Sequence, residues 1–380
     1  VSNDKGWLLG KVAGAPVLLR PSALVMVAVF AALYYPLFAD YASSSVGAVL
    51  AAVVLGLAIL ASVFVHEVSH ASVARSFGNT ADEISLTLLG GHAAFSSAFR
   101  RPWHGALTAI AGPVANVVVG LVVLVVSHTL TPFTLTAQVV GVVAVMNFFL
   151  AAFNALPGLP LDGGSAVSAL IWNFTGSQAK GLRVAARVGQ AIAVVWLAWS
   201  VVRPLALGLG LDYVLVMWTV ILTVVLWNGA SASLKRAELL AAIEKVSLAQ
   251  VMSPALVIGS WVNVAQLPQG LMTSLTAVDT QSHGPRKTCV VLDQDGAPSG
   301  YVDVAAVLSV EPSAYAYTPI AAVSIPLLPG SAVSAQTTVT QLVQSVQVGS
   351  LVRTLFVVVD AGQVRGVVWV ADLMRALDLH

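Results

Sequence analysis

The sequence predicts a polytopic α-helical membrane domain of about six transmembrane helices, followed by a soluble α/β domain built from two tandem units. Three observations carry this reading. Hydrophobic residues make up 58% of the 380 residues and charged residues 9%, whereas a soluble domain carries about 25% charged residues. Nearly all of the apolar excess lies before residue 235, in windows close to the roughly 20 residues that a bilayer-spanning helix needs. From Ser247 the valines fall instead into short runs broken by Asp, Gly, Pro and Ser. With a mean hydropathy of +0.88, the chain has too few charges to cover a water-facing surface. An ordinary soluble enzyme, a disordered chain and a nucleic-acid binder are thereby excluded. The net charge of +1 implies no strongly charged partner. The lone Cys289 can form neither an internal disulfide nor a cysteine-rich zinc site.

The expected spans are Pro21–Ala39, Val46–Arg75, Trp103–Ser127, Ala137–Leu156, Val184–Val202 and Leu207–Trp227. The first exceeds the apolar core of a signal peptide, about 7–15 residues, and is read as retained. Lys5, Lys11 and Arg20 precede it. Arg75, Arg100 and Arg101 follow the second span, Lys180, Arg183 and Arg187 flank the start of the fifth, and Lys235 and Arg236 follow the sixth. The alternate loops are nearly free of positive charge, Arg203 excepted. The positive-inside rule then places both termini in the cytoplasm. The expected domains are residues 1–234 in the membrane, an amphipathic surface linker at 235–247, and the tandem domain at 248–380. In that last domain Thr288–Asp293 and Leu355–Asp360 read as strands, each followed by a turn at Asp295-Gly296 or Ala361-Gly362. Second strands at Gly300–Asp303 and Gly366–Val370 lead into helices at Val304–Val310 and Ala371–Leu379. Asp293 thus matches Asp360 and Gly300 matches Gly366, an internal repeat whose valine-rich strands are expected to pack face to face.

The chemistry concentrates at the end of the second span. His66-Glu67-Val68-Ser69-His70 puts two imidazoles four residues apart on one helical face. Both can reach one zinc ion, with Glu67 beside them to handle a proton. Ionisable groups at such a depth are costly in lipid and usually face an interior site, the alternative being a helix end in water. A catalytic zinc takes three protein ligands and leaves one position open. Glu67 and Asp162 are the only acids in the apolar parts of spans two to four, so Asp162 is the preferred third ligand over His92, His104, His128, His283 and His380. Its alternative is an Asp-Gly turn at the membrane surface. Spans two and four run in the same direction, and His66 lies about 13 Å from Arg75 along a helix. The two groups therefore share one side of the membrane.

These residues resemble the site-2 protease family of intramembrane zinc metalloproteases. The resemblance rests on His66-Glu67-x-x-His70 and Leu161-Asp162-Gly163, with Asn154, Pro157 and Pro160 before the Asp. Ala111-Gly112-Pro113-Val114-Ala115-Asn116 resembles the family's Gly-Pro-x-x-Asn element, and Leu89-Gly90-Gly91-His92-Ala93 its membrane-associated hairpin. Trp7 to Pro16 resembles the start of bacterial members with cytoplasmic CBS domains, and the repeat after Ser247 resembles such a CBS pair. Ser165 stands where the family often has Arg. The hydroxyl usual at the CBS nucleotide position is missing from both units, which offer Asp303 and Ala306, and Trp369 and Asp372.

The resemblance implies one catalytic Zn2+ on His66, His70 and Asp162, with Glu67 as general base. Asn116 and Asn154 are implied as oxyanion donors, the alternative for both being hydrogen bonds between helices. Gly90 and Gly91 would let an extended hairpin meet an unwound substrate, while His92 reads as hairpin structure or substrate contact. The implied substrate is the transmembrane segment of a single-pass protein already shortened by another protease, such as an anti-sigma factor. Expected partners are the bilayer, this substrate and a second copy through the CBS-like pair, with no nucleic acid. The implied location is the bacterial inner membrane, with the CBS-like pair cytoplasmic and adenine nucleotide bound weakly or not at all. The competing class is a CBS-regulated transporter or metal-sensing membrane protein, which would show duplicated membrane halves; none is visible in the sequence.

Overall fold

The structure is a computed structural model that describes residues 6–88, 90–95, 99, 101–267, 288–348 and 351–377. Lys5, Leu89, Arg100, His283 and His380 lie outside the described residues. The chain forms two compact units, Val1–Leu240 and Ala241–His380.

The first unit opens on a hairpin of β1 (Trp7–Val12) and β2 (Ala15–Leu19), followed by α1 (Pro21–Ala39) and α2 (Ser45–Ser76). A second hairpin, β3 (Glu83–Thr87) and β4 (Gly90–Ala94), leads to α3 (Pro102–His128), α4 (Leu135–Asn154), α5 (Asp162–Thr175), α6 (Gln178–Ala206) and α7 (Tyr213–Lys245). All of these helices except α5 are long and apolar enough to cross a membrane. The strands form one sheet in the order β1-β2-β3-β4. Strand β2 pairs parallel with β3, so the sheet ties the start of α1 to the end of α2. Arg20, at the N-cap of α1, reinforces this tie by an ion pair of 2.7 Å with Glu83. Hydrogen bonds from the Ser85 hydroxyl and the Arg20 guanidinium hold the Glu83 carboxyl below the usual carboxylate range.

Helix α2 is the centre of the bundle. Half of its apolar window is buried by protein, against 17–28% for the other five. Small residues set this packing: a Cβ on Gly56 would stand 2.7 Å from the Val27 carbonyl oxygen of α1. The outward faces of the other spans stay apolar and exposed, with Val122, Val125, Val195 and Trp199 each more than half accessible, as lipid contact requires.

The second unit contains α8 (Leu248–Val251), β5 (Ala255–Gly259), β6 (Thr288–Leu292), β7 (Pro298–Val302), α9 (Val304–Ser309) and β8 (Ser324–Pro326). It continues with β9 (Ala332–Ser334), α10 (Val339–Ser345), β10 (Gln347–Val348), β11 (Leu351–Val352), β12 (Leu355–Asp360), β13 (Gln363–Trp369) and α11 (Val370–Ala376). The repeat is real in three dimensions. In each half one strand has a parallel neighbour on one side and an antiparallel one on the other, β5 and β7 around β6, and β9 and β13 around β12. Val290, Leu355, Val357 and Val367 form one buried cluster shared by both halves, the expected face-to-face packing. Burial pushes the Cys289 thiol up to about 11, which leaves it an inert core residue.

Four features differ from the sequence expectation. Strands β1 and β2 were read only as a family-like start, because a short hairpin ahead of an apolar helix has weak periodicity. Helix α5, which starts at Asp162, has no counterpart among the expected elements; its length, 14 residues, falls below any membrane window. The sixth span begins at Tyr213, since Gly208 and Gly210 take positive φ and break the helix. Finally, residues 235–245 are the end of α7 rather than a separate surface helix.

Replacing Gly56 with Val is expected to destabilise the first unit by about 1–3 kcal/mol, the usual scale of overpacking. Thermal unfolding of the purified protein in detergent checks this, and an unchanged midpoint would show that α1 yields freely.

Candidate metal centre

The helical period places His66 and His70 one turn apart on the buried face of α2, with 6% and 7% of their surface exposed. Each ring is oriented through its Nδ1 by α3. His66 Nδ1 hydrogen-bonds the Asn116 side-chain oxygen, and His70 Nδ1 lies 2.7 Å from the Thr108 carbonyl oxygen. A carbonyl oxygen only accepts, so His70 must carry its proton on Nδ1 and leave Nε2 bare. The two Nε2 atoms then meet at 3.0 Å.

Asp162 arrives from the other side, as the first residue of α5. Its Oδ2 lies 3.0 Å from His66 Nε2 and 3.4 Å from His70 Nε2. Glycines make this approach possible. A Cβ on Gly163 would fall 2.2 Å from the Ala155 carbonyl oxygen, and one on Gly164 2.2 Å from Leu159 N. Across the same loop, Gly189 of α6 packs on the Leu159 carbonyl oxygen and Gly229 of α7 on Pro160. The loop from Leu156 to Leu161 is therefore gripped by three helices, and Asp162 is fixed by backbone packing.

The three side chains fit a zinc ion. Their ligand atoms lie within 4.8 Å of one another. Asp162 Oδ2 is buried and makes no hydrogen bond among the described residues, an expensive state unless a cation completes it. Two atoms each about 2.0–2.1 Å from a zinc at a tetrahedral angle lie about 3.3 Å apart, close to the spacings found. The donor set of two imidazoles and one carboxylate is the one expected of a catalytic zinc site with an open position. That opening is kept clear by Gly112 of α3, whose Cβ would stand 2.4 Å from His70 Nε2 and 2.5 Å from His66 Nε2.

Glu67 is buried next to this cluster, with 5% of its surface exposed. A Cβ on Gly91 of β4 would lie 2.4 Å from Glu67 Cγ, so the hairpin rests directly on the acid. Strand β4 is the edge of the sheet, and Gly90 supplies the turn with φ +116°.

The structure brings together His66, His70, Asp162, Glu67 and Gly91, with Asn116 behind them. Asn116 is placed differently from the oxyanion role. Its oxygen is committed to His66 and its Nδ2 donates to Asn147 Oδ1 at 3.0 Å, so it orients a ligand. Asn154 ends α4 and is half-buried. His92 is exposed on β4, His104 stacks on Phe77 at 4.3 Å, and His128 ends α3; none joins the cluster. Sequence reasoning missed Thr108, Asn147 and Ser62, and quoted Gly112 only as part of the Gly-Pro-x-x-Asn element. Asn147 and Ser62 carried a signal, as polar residues within apolar spans. Thr108 carried none, because it acts through its backbone.

Gly112→Ala is expected to weaken zinc binding by more than about tenfold, since the added methyl displaces both nitrogens. Competition against a chelator measures this. Unchanged affinity would place the ion elsewhere.

Comparison with known proteins agrees with the geometry. The family model of peptidase family M50 matches residues 54–141 and 131–196. The "Putative zinc metalloprotease sll0528" of Synechocystis is 31% identical over 252 residues, 65% of this chain and 64% of that protein. The chain thus spans somewhat less than two thirds of that relative's length. The "Putative zinc metalloprotease Rip3" of Mycobacterium tuberculosis is 28% identical over 328 residues, 85% of this chain and 79% of that protein. The solved site-2 protease of Methanocaldococcus jannaschii covers 60% of this chain and 95% of its own at 22% identity and a TM-score of 0.44, a likeness too slight to add to the sequence matches. The matched residues include His66, Glu67, His70, Asn116 and Asp162, the groups that converge in the bundle, and over residues 54–196 the chain is similar to peptidase family M50.

Proposed function

We propose that the protein is a zinc-dependent intramembrane endopeptidase that cleaves the transmembrane segment of another membrane protein. The observation that carries this reading is the convergence of His66, His70 and Asp162 beside Glu67, inside the most buried helix of a membrane-type bundle. His66, His70 and Asp162 would hold the zinc, which would supply a bound water of pKa about 7 and a Lewis acid for a carbonyl. His66 and His70 supply bare Nε2 atoms, and Asp162 supplies the balancing charge. Glu67 accepts a proton from the attacking water and returns it to the leaving amine. Asn154, whose side chain makes no hydrogen bond among the described residues, remains free to donate to the oxyanion.

A substrate helix must unwind before attack, because its backbone groups are already paired. The β4 edge is where an unwound segment would recover those hydrogen bonds, and the Gly91–Glu67 contact supports this by joining edge and base. The substrate we favour is a single-pass protein already shortened by another protease, an anti-sigma factor being one example, in a regulatory cascade. The chain would lie in the bacterial inner membrane with both termini cytoplasmic. Lys11 on β1, Arg20 at the N-cap of α1, Arg75 in the last turn of α2 and Arg101 at the N-cap of α3 support that orientation.

We read the second unit as CBS-like and as a dimerisation or docking element. Three contacts support weak or absent nucleotide binding. Asp303 is occupied in capping its own helix, accepting from Ala305 N at 3.0 Å. At the matching position of the other half, Trp369 donates to Thr288 at 2.9 Å and packs on Tyr301.

Glu67→Gln is expected to keep the fold and zinc while lowering turnover by about 10²–10⁴-fold, because an amide cannot accept the proton. Cleavage of a candidate membrane substrate at the wild-type rate would remove Glu67 as base. Gly91→Val is expected to cut cleavage severely with zinc still bound, since its side chain drives into Glu67; full activity would sink the edge-strand idea.

A further inference from the structure

Behind His66 runs a chain of buried polar side chains that links three helices. Asn116 of α3, Asn147 of α4 and Ser62 of α2 expose 1%, 0% and 4% of their surfaces. From Ser62, one turn before His66 on α2, the Oγ donates to the Ala58 carbonyl oxygen at 3.0 Å. Asn147 Nδ2 donates to Ser62 Oγ at 3.0 Å and to the Val143 carbonyl oxygen at 2.9 Å. Asn116 Nδ2 donates to Asn147 Oδ1 at 3.0 Å. The last link joins Asn116 Oδ1 to His66 Nδ1.

The direction of every link follows from one fact. The Val143 carbonyl can only accept, so Asn147 must turn its NH2 toward it and its oxygen toward Asn116. Asn116 must then answer with its own NH2 and present its oxygen to His66. An oxygen there forces the His66 proton onto Nδ1 and leaves Nε2 bare for a metal. Without the Val143 constraint, the Asn116 amide could rotate half a turn and present NH2 to Nδ1 instead. That would favour the wrong tautomer.

We propose that Asn147 is a positioning residue that fixes the tautomer of His66 through Asn116, so that a main-chain carbonyl in α4 sets which imidazole nitrogen binds the ion. The proposal rests on the reading of His66 as a zinc ligand. It explains why two amides and a hydroxyl sit deep among apolar helices, where each is costly unless satisfied.

The test uses the full chain purified in detergent, with zinc affinity measured by chelator competition and cobalt(II) as a spectroscopic probe of ligand geometry. Asn147→Leu is expected to weaken zinc binding by about tenfold or more and to alter the cobalt d–d spectrum, on the scale seen when partners of metal ligands are lost. Asn147→Asp, protonated at so buried a site, loses the second donor that reaches Ser62 but can still donate its hydroxyl to Val143 and accept from Asn116 through its carbonyl oxygen. It is expected to lower the melting temperature while holding zinc affinity within about threefold of wild type and keeping the cobalt spectrum. Ser62→Ala leaves the Val143 bond in place and is likewise expected to stay within about threefold. A role in packing alone would make metal affinity follow melting temperature across the three variants. Zinc affinity unchanged in Asn147→Leu, or lost in Asn147→Asp, would overturn the proposal. Should the Leu variant fail to fold, the Asp variant decides by itself. Failure of the wild-type chain to bind zinc would instead overturn the metal reading of the site.

Discussion

Every polar atom in the helical bundle is subject to one constraint: in hydrocarbon it must be paired within the protein or it is very costly. The centre of this molecule is a set of solutions to that problem. His70 finds a backbone carbonyl, His66 finds an amide, and that amide finds another amide on the next helix. Asp162 Oδ2 is left without a hydrogen bond, in the place where two bare imidazole nitrogens converge. Pairing elsewhere thus concentrates the unmet demand at one point, and a divalent cation meets it.

Close packing of small residues makes the convergence possible. Gly112 keeps the space beside the nitrogens clear, Gly163 and Gly164 let α5 begin against the preceding loop, and Gly189 and Gly229 bring α6 and α7 onto that loop. In a membrane there is little hydrophobic drive between helices, so such van der Waals contact carries much of the association. The same contacts therefore hold the bundle together and fix the carboxylate. Fold and site share their determinants, and a methyl group at these glycines acts on both.

The sheet adds a second level of coupling. It joins the beginning of α1 to the end of α2 through the β2–β3 pairing and the Arg20–Glu83 ion pair. Its edge strand lies on Glu67. A strand edge, the buried acid Glu67 and two of the candidate metal ligands are thereby brought together at one helix end.

The sequence by itself determined the six apolar helices, the tandem α/β repeat and the core of the site. Hydropathy over a bilayer-length window is a local quantity, and the spacing of His66 and His70 encodes their common face directly. Asp162 was legible because acids in apolar segments are rare. The roles of Asn116 and Asn147 were not legible, because an amide has both a donor and an acceptor end. Which end faces a neighbour depends on a carbonyl from another helix, and only the tertiary structure supplies that carbonyl. The roles of Thr108 and Gly112 were hidden for a related reason: one acts through its main chain and the other through an absent side chain. Helix α5, too short for a span, became a helix start for a ligand only once α6 and α7 closed on the loop before it. What acts through the residue type at a fixed spacing could be read from the chain; what acts through packing and hydrogen-bond direction was decided by the fold.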